Sequence, residues 1–229
     1  MIMFIKVPSR PDLPAAVLVL ALILPLAAWA QPPCLTLGKG GSVQSAVMKA
    51  DPAAEELLAR LVYAESLSTG FADDPLVHQA IAWGVMNRVR LGEASPSLRQ
   101  RYGSGVAGVI FRKGQFNPAV SPRSRFSGAF LCPDDPGGWR TAVQAARRAL
   151  AGEGNPFIAT PWEQEHGLSL VVNFYYPRSV QARGPVAPWE GSRELGFIGD
   201  VRIGGELLDA GRVRFYRLAR PPKDIPPRP

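Results

Sequence analysis

Three Asp-Pro dipeptides, Asp51-Pro52, Asp74-Pro75 and Asp135-Pro136, constrain this chain more than any other feature. Proline has no amide hydrogen and a fixed φ, so it suits the first turn of a helix and little else in a regular element. An aspartate just before it can accept from the free amides of that turn. Each dipeptide is followed by apolar residues at helical spacing, so the sequence predicts three helices with defined starts. The first runs over 50–69, with Leu57, Leu58, Leu61 and Val62 on one face, and ends in the polar run Ser66, Ser68, Thr69, Gly70. The second runs over 75–91, with Val77, Ile81, Val85 and Val89 as its stripe and Gly92 as its stop. The third carries Trp139, Ala142, Val143, Ala146 and Leu150 and ends at Gly152.

Shorter helices are expected over 95–102 and 106–111. Later the texture changes. Residues 168–176 are apolar, β-branched and aromatic, which reads as a strand stopped by Pro177. Residues 212–218 read as a last strand, packing through Val213, Phe215 and Tyr216, whereas 186–190 and 195–200 read as loops anchored by Trp189 and Phe197. The pattern is α+β, mainly helical, with a small C-terminal sheet. The tail from Pro221 is Pro-rich and expected to be disordered.

The 229 residues suit one domain with extensions. Lys6 and Arg10, the apolar run 13–27 and Ala28-Trp29-Ala30 form a secretory signal peptide, cleaved before Gln31. The expected organisation is a signal peptide over 1–30, a lead-in over 31–50, a domain over 51–218 and a tail over 219–229. Gln31-Pro32-Pro33 before Cys34 is not a lipidation signal. Export makes the protein periplasmic or wall-associated, with no stable membrane insertion once the signal is removed. In such an oxidising place Cys34 and Cys132 are able to pair, closing a long loop worth up to about 4–5 kcal/mol. The formal charge of +7 draws an exported protein to anionic polymers, but it is spread without a basic run, so no nucleic-acid site is read. Two Cys and two His in unrelated contexts do not make a metal site, and no cofactor is expected.

The titratable residue in the most suggestive place is Glu65, four residues past Leu61 and three past Val62. Two readings stand: a solvated or ion-paired acid near a helix end, or a carboxyl facing a cleft with its pKa raised by burial. Asn87, near the end of the second helix, is either exposed or holding a neighbouring loop. Lys113–Pro118 is a constrained loop in which Gln115 and Phe116 offer an amide and a flat apolar face, or a core ring beside a solvated amide.

Four blocks in order carry a resemblance: Leu58–Ser66 (LARLVYAES), Val85–Val89 (VMNRV), Gly108–Phe111 through Gly114-Gln115-Phe116, and Ala145–Gly152 (AARRALAG). They resemble the SleB-type cell-wall hydrolases, the spore-cortex-lytic enzymes and their relatives in non-sporulating bacteria. Asn173–Pro177, Ile198-Gly199 and Phe215-Tyr216 are similar to that family's closing strands, and the likeness spans roughly 52–218. It implies a lysozyme-like fold and a lytic transglycosylase acting on peptidoglycan between N-acetylmuramic acid and N-acetylglucosamine, with Glu65 as the catalytic acid and base. Gln115 and Phe116 match the family's Gln-Phe cleft motif, and Asn87 its helix-end Asn. On this reading Gln115 and Asn173 position polar groups of the sugar, and Phe116, Tyr175 and Trp189 line sugar subsites. The chain departs from the family at Thr69, where a second Glu is usual, at Asn117, where Ser is usual, and over 160–167, which looks like an insertion. A hydrolytic muramidase using Asp73 or Asp74, a non-catalytic wall-binding protein and an envelope scaffold are the competing functions.

Overall fold

The computed structural model describes residues 30–226. The expected signal peptide, apart from Ala30, and the last three residues of the tail lie outside the described residues.

The helical half is built on three helices, α2 (Ala54–Thr69), α3 (Pro75–Ala94) and α8 (Pro136–Ala151), which pack on one another. Leu58, Leu61 and Val62 of α2 and Ile81 and Val85 of α3 are fully buried, and α8 meets them with the small side chains Ala142, Ala146 and Ala149. Alanines bring α8 close to both partners, and the larger residues of α2 and α3 fill the space between. Two of the three expected caps form. Asp74 accepts from the Leu76 amide at 2.9 Å. Asp135 accepts from the amides of Gly137 and Gly138.

Asp51 is a correction. It does not cap α2, because the lead-in is itself helical: α1 (Val43–Ala50) ends there, and Asp51 takes the left-handed conformation at its C-terminus, φ 47°. α2 starts from Ala53 with no side-chain cap, and Glu55 and Glu56 in its first turn meet the positive end of the helix instead. Gly92 is a second correction. α3 runs through it to Ala94 and stops at Ser95, whose hydroxyl accepts from Leu98 at 3.1 Å and so starts α4 (Pro96–Tyr102). The glycine serves close approach, since a Cβ there would lie 2.7 Å from the Gly103 carbonyl oxygen. Short helices α5 (Gly105–Ile110), α6 (Asn117–Val120) and α7 (Ser127–Leu131) complete this half.

The C-terminal half carries more sheet than the sequence suggests. β1 (Val171–Tyr175) and β2 (Leu195–Phe197) flank β5 (Arg214–Leu218), all antiparallel. β3 (Val201–Ile203) and β4 (Glu206–Leu208) form a separate hairpin. The expected loop over 195–200 therefore contains a strand, and the hairpin is an addition. The segment 160–167 is α9 (Pro161–His166), a tie between layers. Thr160 and Glu163 form a capping box, and the buried Glu163 carboxylate also accepts from Leu170 at 2.7 Å and Arg217 at 3.0 Å. Burial raises its pKa, but the Thr160, Leu170 and Ala159 amides and Arg217 outweigh that, so the net shift is downward. The tail is also corrected over its described part: Asp224 accepts from the Ser97 amide at 2.9 Å and from the Ser95 hydroxyl at 2.7 Å.

Cys34 and Cys132 are joined in a disulfide. Beside it the fully buried Arg60 donates to Pro33 and Leu131 carbonyls, both at 2.8 Å, and to Glu56 at 2.9 Å. Among the described residues, no helix is long and apolar enough to cross a membrane.

Replacing both cysteines by serine should lower unfolding free energy by about 2–5 kcal/mol, read by chemical denaturation. Gly92→Ala, although a better helix former, should cost about 1–3 kcal/mol, because the new methyl meets backbone that cannot swing away.

Candidate functional site

The cleft opens where α2, α3, the loop before α6 and strand β1 converge. It holds about 400 Å³ and is lined by Glu65, Arg88, Tyr102, Gln115, Phe116, Asn173, Tyr175, Tyr176 and Trp189, among others. Glu65 is the one carboxylate in that lining. It projects from the last third of α2 and is only 6% exposed. Burial raises its pKa to about 7, against smaller lowering effects of the Tyr176 hydroxyl and the Arg88 charge. At neutral pH a substantial fraction of Glu65 is protonated.

Arg88 is buried beside it. Its Nε donates to the Val172 carbonyl, and its Nη1 donates to Gln115 Oε1 at 2.6 Å. The guanidinium carbon lies 4.8 Å from the Phe116 ring centre and 5.2 Å from that of Phe174. Burial lowers its pKa to about 10, so it remains charged at neutral pH. This one cation ties α3 to β1 and to the 113–117 loop. Gly84, one turn earlier on α3, admits the Phe174 ring, which a Cβ would meet at 2.8 Å.

Several side chains of the cleft wall carry buried hydrogen-bonding atoms that the protein does not use. Among the described residues, five buried side-chain polar atoms make no hydrogen bond, and three of them, Tyr102 Oη, Tyr176 Oη and Trp189 Nε1, belong to residues lining this cleft. Tyr176 lies against Glu65, close enough to perturb it, without a well-formed hydrogen bond. Buried donors left unmet inside a protein are costly, so these three atoms make the cleft wall a place of unspent hydrogen-bonding capacity.

Most of the sequence-selected residues come together. Asn173, Tyr175 and Trp189 line the cleft with Glu65. The Tyr175 hydroxyl is occupied, donating to Gly184 and accepting from Arg183, and its ring meets Trp189 edge-on at 6.0 Å. Gln115 is fixed by Arg88 through its carbonyl, which leaves its NH₂ as a donor. Phe116 is 1% exposed, so it is a core ring whose edge closes the cleft floor. Asn87 is a correction: it lies outside the cleft, buried, donating to Val171 at 3.0 Å and accepting from Asn155 at 2.8 Å. Asp73 and Asp74 also lie outside the lining; Asp74 is the α3 cap and pairs with Arg212. Thr69 turns inward, donating to Ser66 at 2.7 Å and accepting from Phe71 at 2.9 Å.

Sequence reasoning missed Arg88, Tyr102 and Tyr176. The signal for Arg88 was present, since it lies seven residues past Ile81 and three past Val85, a cation on an apolar stripe. Tyr102 and Tyr176 gave no comparable sign.

Comparison with protein-family models, with curated proteins and with solved structures found no match to this chain.

The buried carboxyl makes stability pH-dependent. In the unfolded chain Glu65 releases its proton near 4.5, whereas the folded protein holds it to about 7. The folded state therefore binds the extra proton between these values, and stability declines as pH rises through that window. In denaturation series from pH 4.5 to 8, the wild-type decline should exceed that of Glu65→Gln by up to about 3 kcal/mol.

Proposed function

We propose that this chain is a SleB-type, peptidoglycan-cleaving enzyme of lysozyme-like organisation, a lytic transglycosylase working with Glu65 as its single acid and base. The observation that carries the reading is one nearly buried carboxyl with a pKa of about 7, unaccompanied by any other carboxylate in the cleft lining. The ordered sequence blocks support it, as do the aromatic walls of the cleft, which suit a glycan. The disulfide and the basic charge fit an exported, periplasmic or wall-associated protein.

The chemistry follows from one carboxyl. Protonated Glu65 gives its proton to the oxygen linking muramic acid C1 to the next sugar. The C1–O bond breaks and positive charge spreads over C1 and the ring oxygen. The Glu65 carboxylate then takes the proton from the 6-hydroxyl of the same muramic acid as that oxygen bonds C1. A 1,6-anhydro ring results, no water is consumed, and Glu65 is again protonated. Burial serves both halves, since it keeps the proton on the acid at rest and makes the resulting carboxylate an effective base.

A hydrolytic glycosidase uses a second carboxylate roughly 5–10 Å from the first. Thr69 stands where the family's second acid is usual, with its hydroxyl committed to the backbone. Arg88 supplies a fixed charge near Glu65 that favours re-ionisation after proton transfer. On this reading the Gln115 NH₂ serves acetamido and hydroxyl groups, and Tyr102, Tyr176 and Trp189 contribute to the cleft wall.

Mass spectrometry of muropeptides released from purified peptidoglycan tests the reading. The wild type should release 1,6-anhydro ends, and Glu65→Gln should lower the yield by about 10²-fold or more. Reducing muramic acid ends from the wild type would replace the transglycosylase by a muramidase, and sacculi bound without release would make the protein a wall-binding module. The rate at low substrate concentration should fall as pH rises above about 7, where the acid loses its proton.

A further inference from the structure

The cleft does not end at Tyr102. Arg101, on the last turn of α4, lines both it and a second groove of about 510 Å³. That groove runs between α4, the segment before β2 and the end of β5. Its floor includes Leu98 and Leu218, each largely buried, and its rim carries Arg101, Arg193 and Arg220. These arginines are far apart in sequence, so the cluster exists only in the fold.

The charges do not cancel. Glu194 is on the rim but bonds Arg101 at 3.0 Å. Asp224, nearby on the tail, is held by Ser97 and Ser95. Among the described residues, Arg193 and Arg220 have no ion-pair partner. An uncharged sugar gains little from two surplus guanidinium groups, and a hydrophilic polyanion makes no use of the apolar lining that Ala219 and Pro222 add beside the buried leucines. A short peptide with free carboxylates and small apolar side chains matches both.

We infer that the Arg101–Arg193–Arg220 groove is a subsite for the carboxylate-bearing stem peptide of a glycan seated in the Glu65 cleft. The inference rests on the peptidoglycan reading above. Arg101 lines both sites, so a peptide branching from a muramic acid in the cleft enters the groove without leaving the surface. Arg193 and Arg220 pair with its carboxylates, and the apolar surface at Ala219 and Pro222 takes its alanine methyls.

The test uses Glu65→Gln protein, chosen so that bound sacculi stay intact, and two preparations of purified peptidoglycan, one intact and one stripped of peptide by an amidase. Co-sedimentation should show about three- to tenfold tighter binding to intact material, the range for two exposed ion pairs. Adding Arg193→Gln and Arg220→Gln should bring the ratio within about twofold, as should high salt. Both arginines are exposed, so denaturation midpoints should not move. No preference for intact material, no binding to either preparation, or a preference indifferent to the arginine substitutions each overturns the inference. So does stronger competition by polyglycerol phosphate than by free stem peptide, which would assign the groove to phosphodiesters. Cleavage of both preparations by the wild type without a binding preference would remove the subsite and leave the enzyme. Arginine-dependent preference without any cleavage would keep the subsite and remove the enzyme.

Discussion

Burying one charge that cannot be given up beside one that can is the constraint on which this structure turns. Arg88 keeps its proton at neutral pH even though burial lowers its pKa to about 10. A guanidinium in that position has to be met by acceptors, and those it finds are Val172 on β1 and Gln115 in the loop before α6. The sheet, the loop and the long helix are thereby held to one point. Glu65 has the opposite freedom, because it can be neutralised, and its raised pKa records that it partly is. The cleft is thus both the junction of the layers and the place where protonation is least settled.

Away from the cleft the same physics produces fixed struts. Arg60 is buried among the carbonyls of Pro33 and Leu131 and the Glu56 carboxylate, next to the disulfide that holds the same two segments. Glu163 is buried among amides and Arg217, so its pKa moves down while that of Glu65 moves up. The difference lies in the number of donors. Glu163 is surrounded by donors that stabilise the ionised form, and Glu65 faces rings and an open cleft.

What the sequence disclosed depended on how local the cause was. α3 and α8 were legible because an Asp-Pro start and an apolar stripe are contained within each helix. α2 was legible as a helix, but its start was not, because Asp51 had a competing role at the end of α1. β2, β3 and β4 are three residues each, and a strand that short is defined by its partner more than by its own pattern. α9 was readable in principle, since Thr160 and Glu163 stand at capping-box spacing before an exposed turn. The site followed the same rule. Glu65, Gln115, Asn173, Tyr175 and Trp189 gather in the cleft. Asn87, on the same helix as Arg88, is turned away to hold Val171, and only the rotation of α3 against β1 decides which of these neighbours meets the cleft. The arginine groove draws on positions 101, 193 and 220 and is invisible in any window of sequence.

The contact between Asp224 and the start of α4 also bears on how the molecule is made. Ser97 gains its acceptor from a residue 127 positions later, and Ser95 from one 129 positions later. α4 ends in Tyr102, a wall of the cleft. That wall is therefore braced from a distant stretch of chain, just as Arg88 is braced by Val172, so a partly synthesised chain that already carries Glu65, Arg88 and Gln115 still lacks partners that hold them. The cleft is thus assembled late in synthesis, from partners that the chain supplies only after the residues they hold.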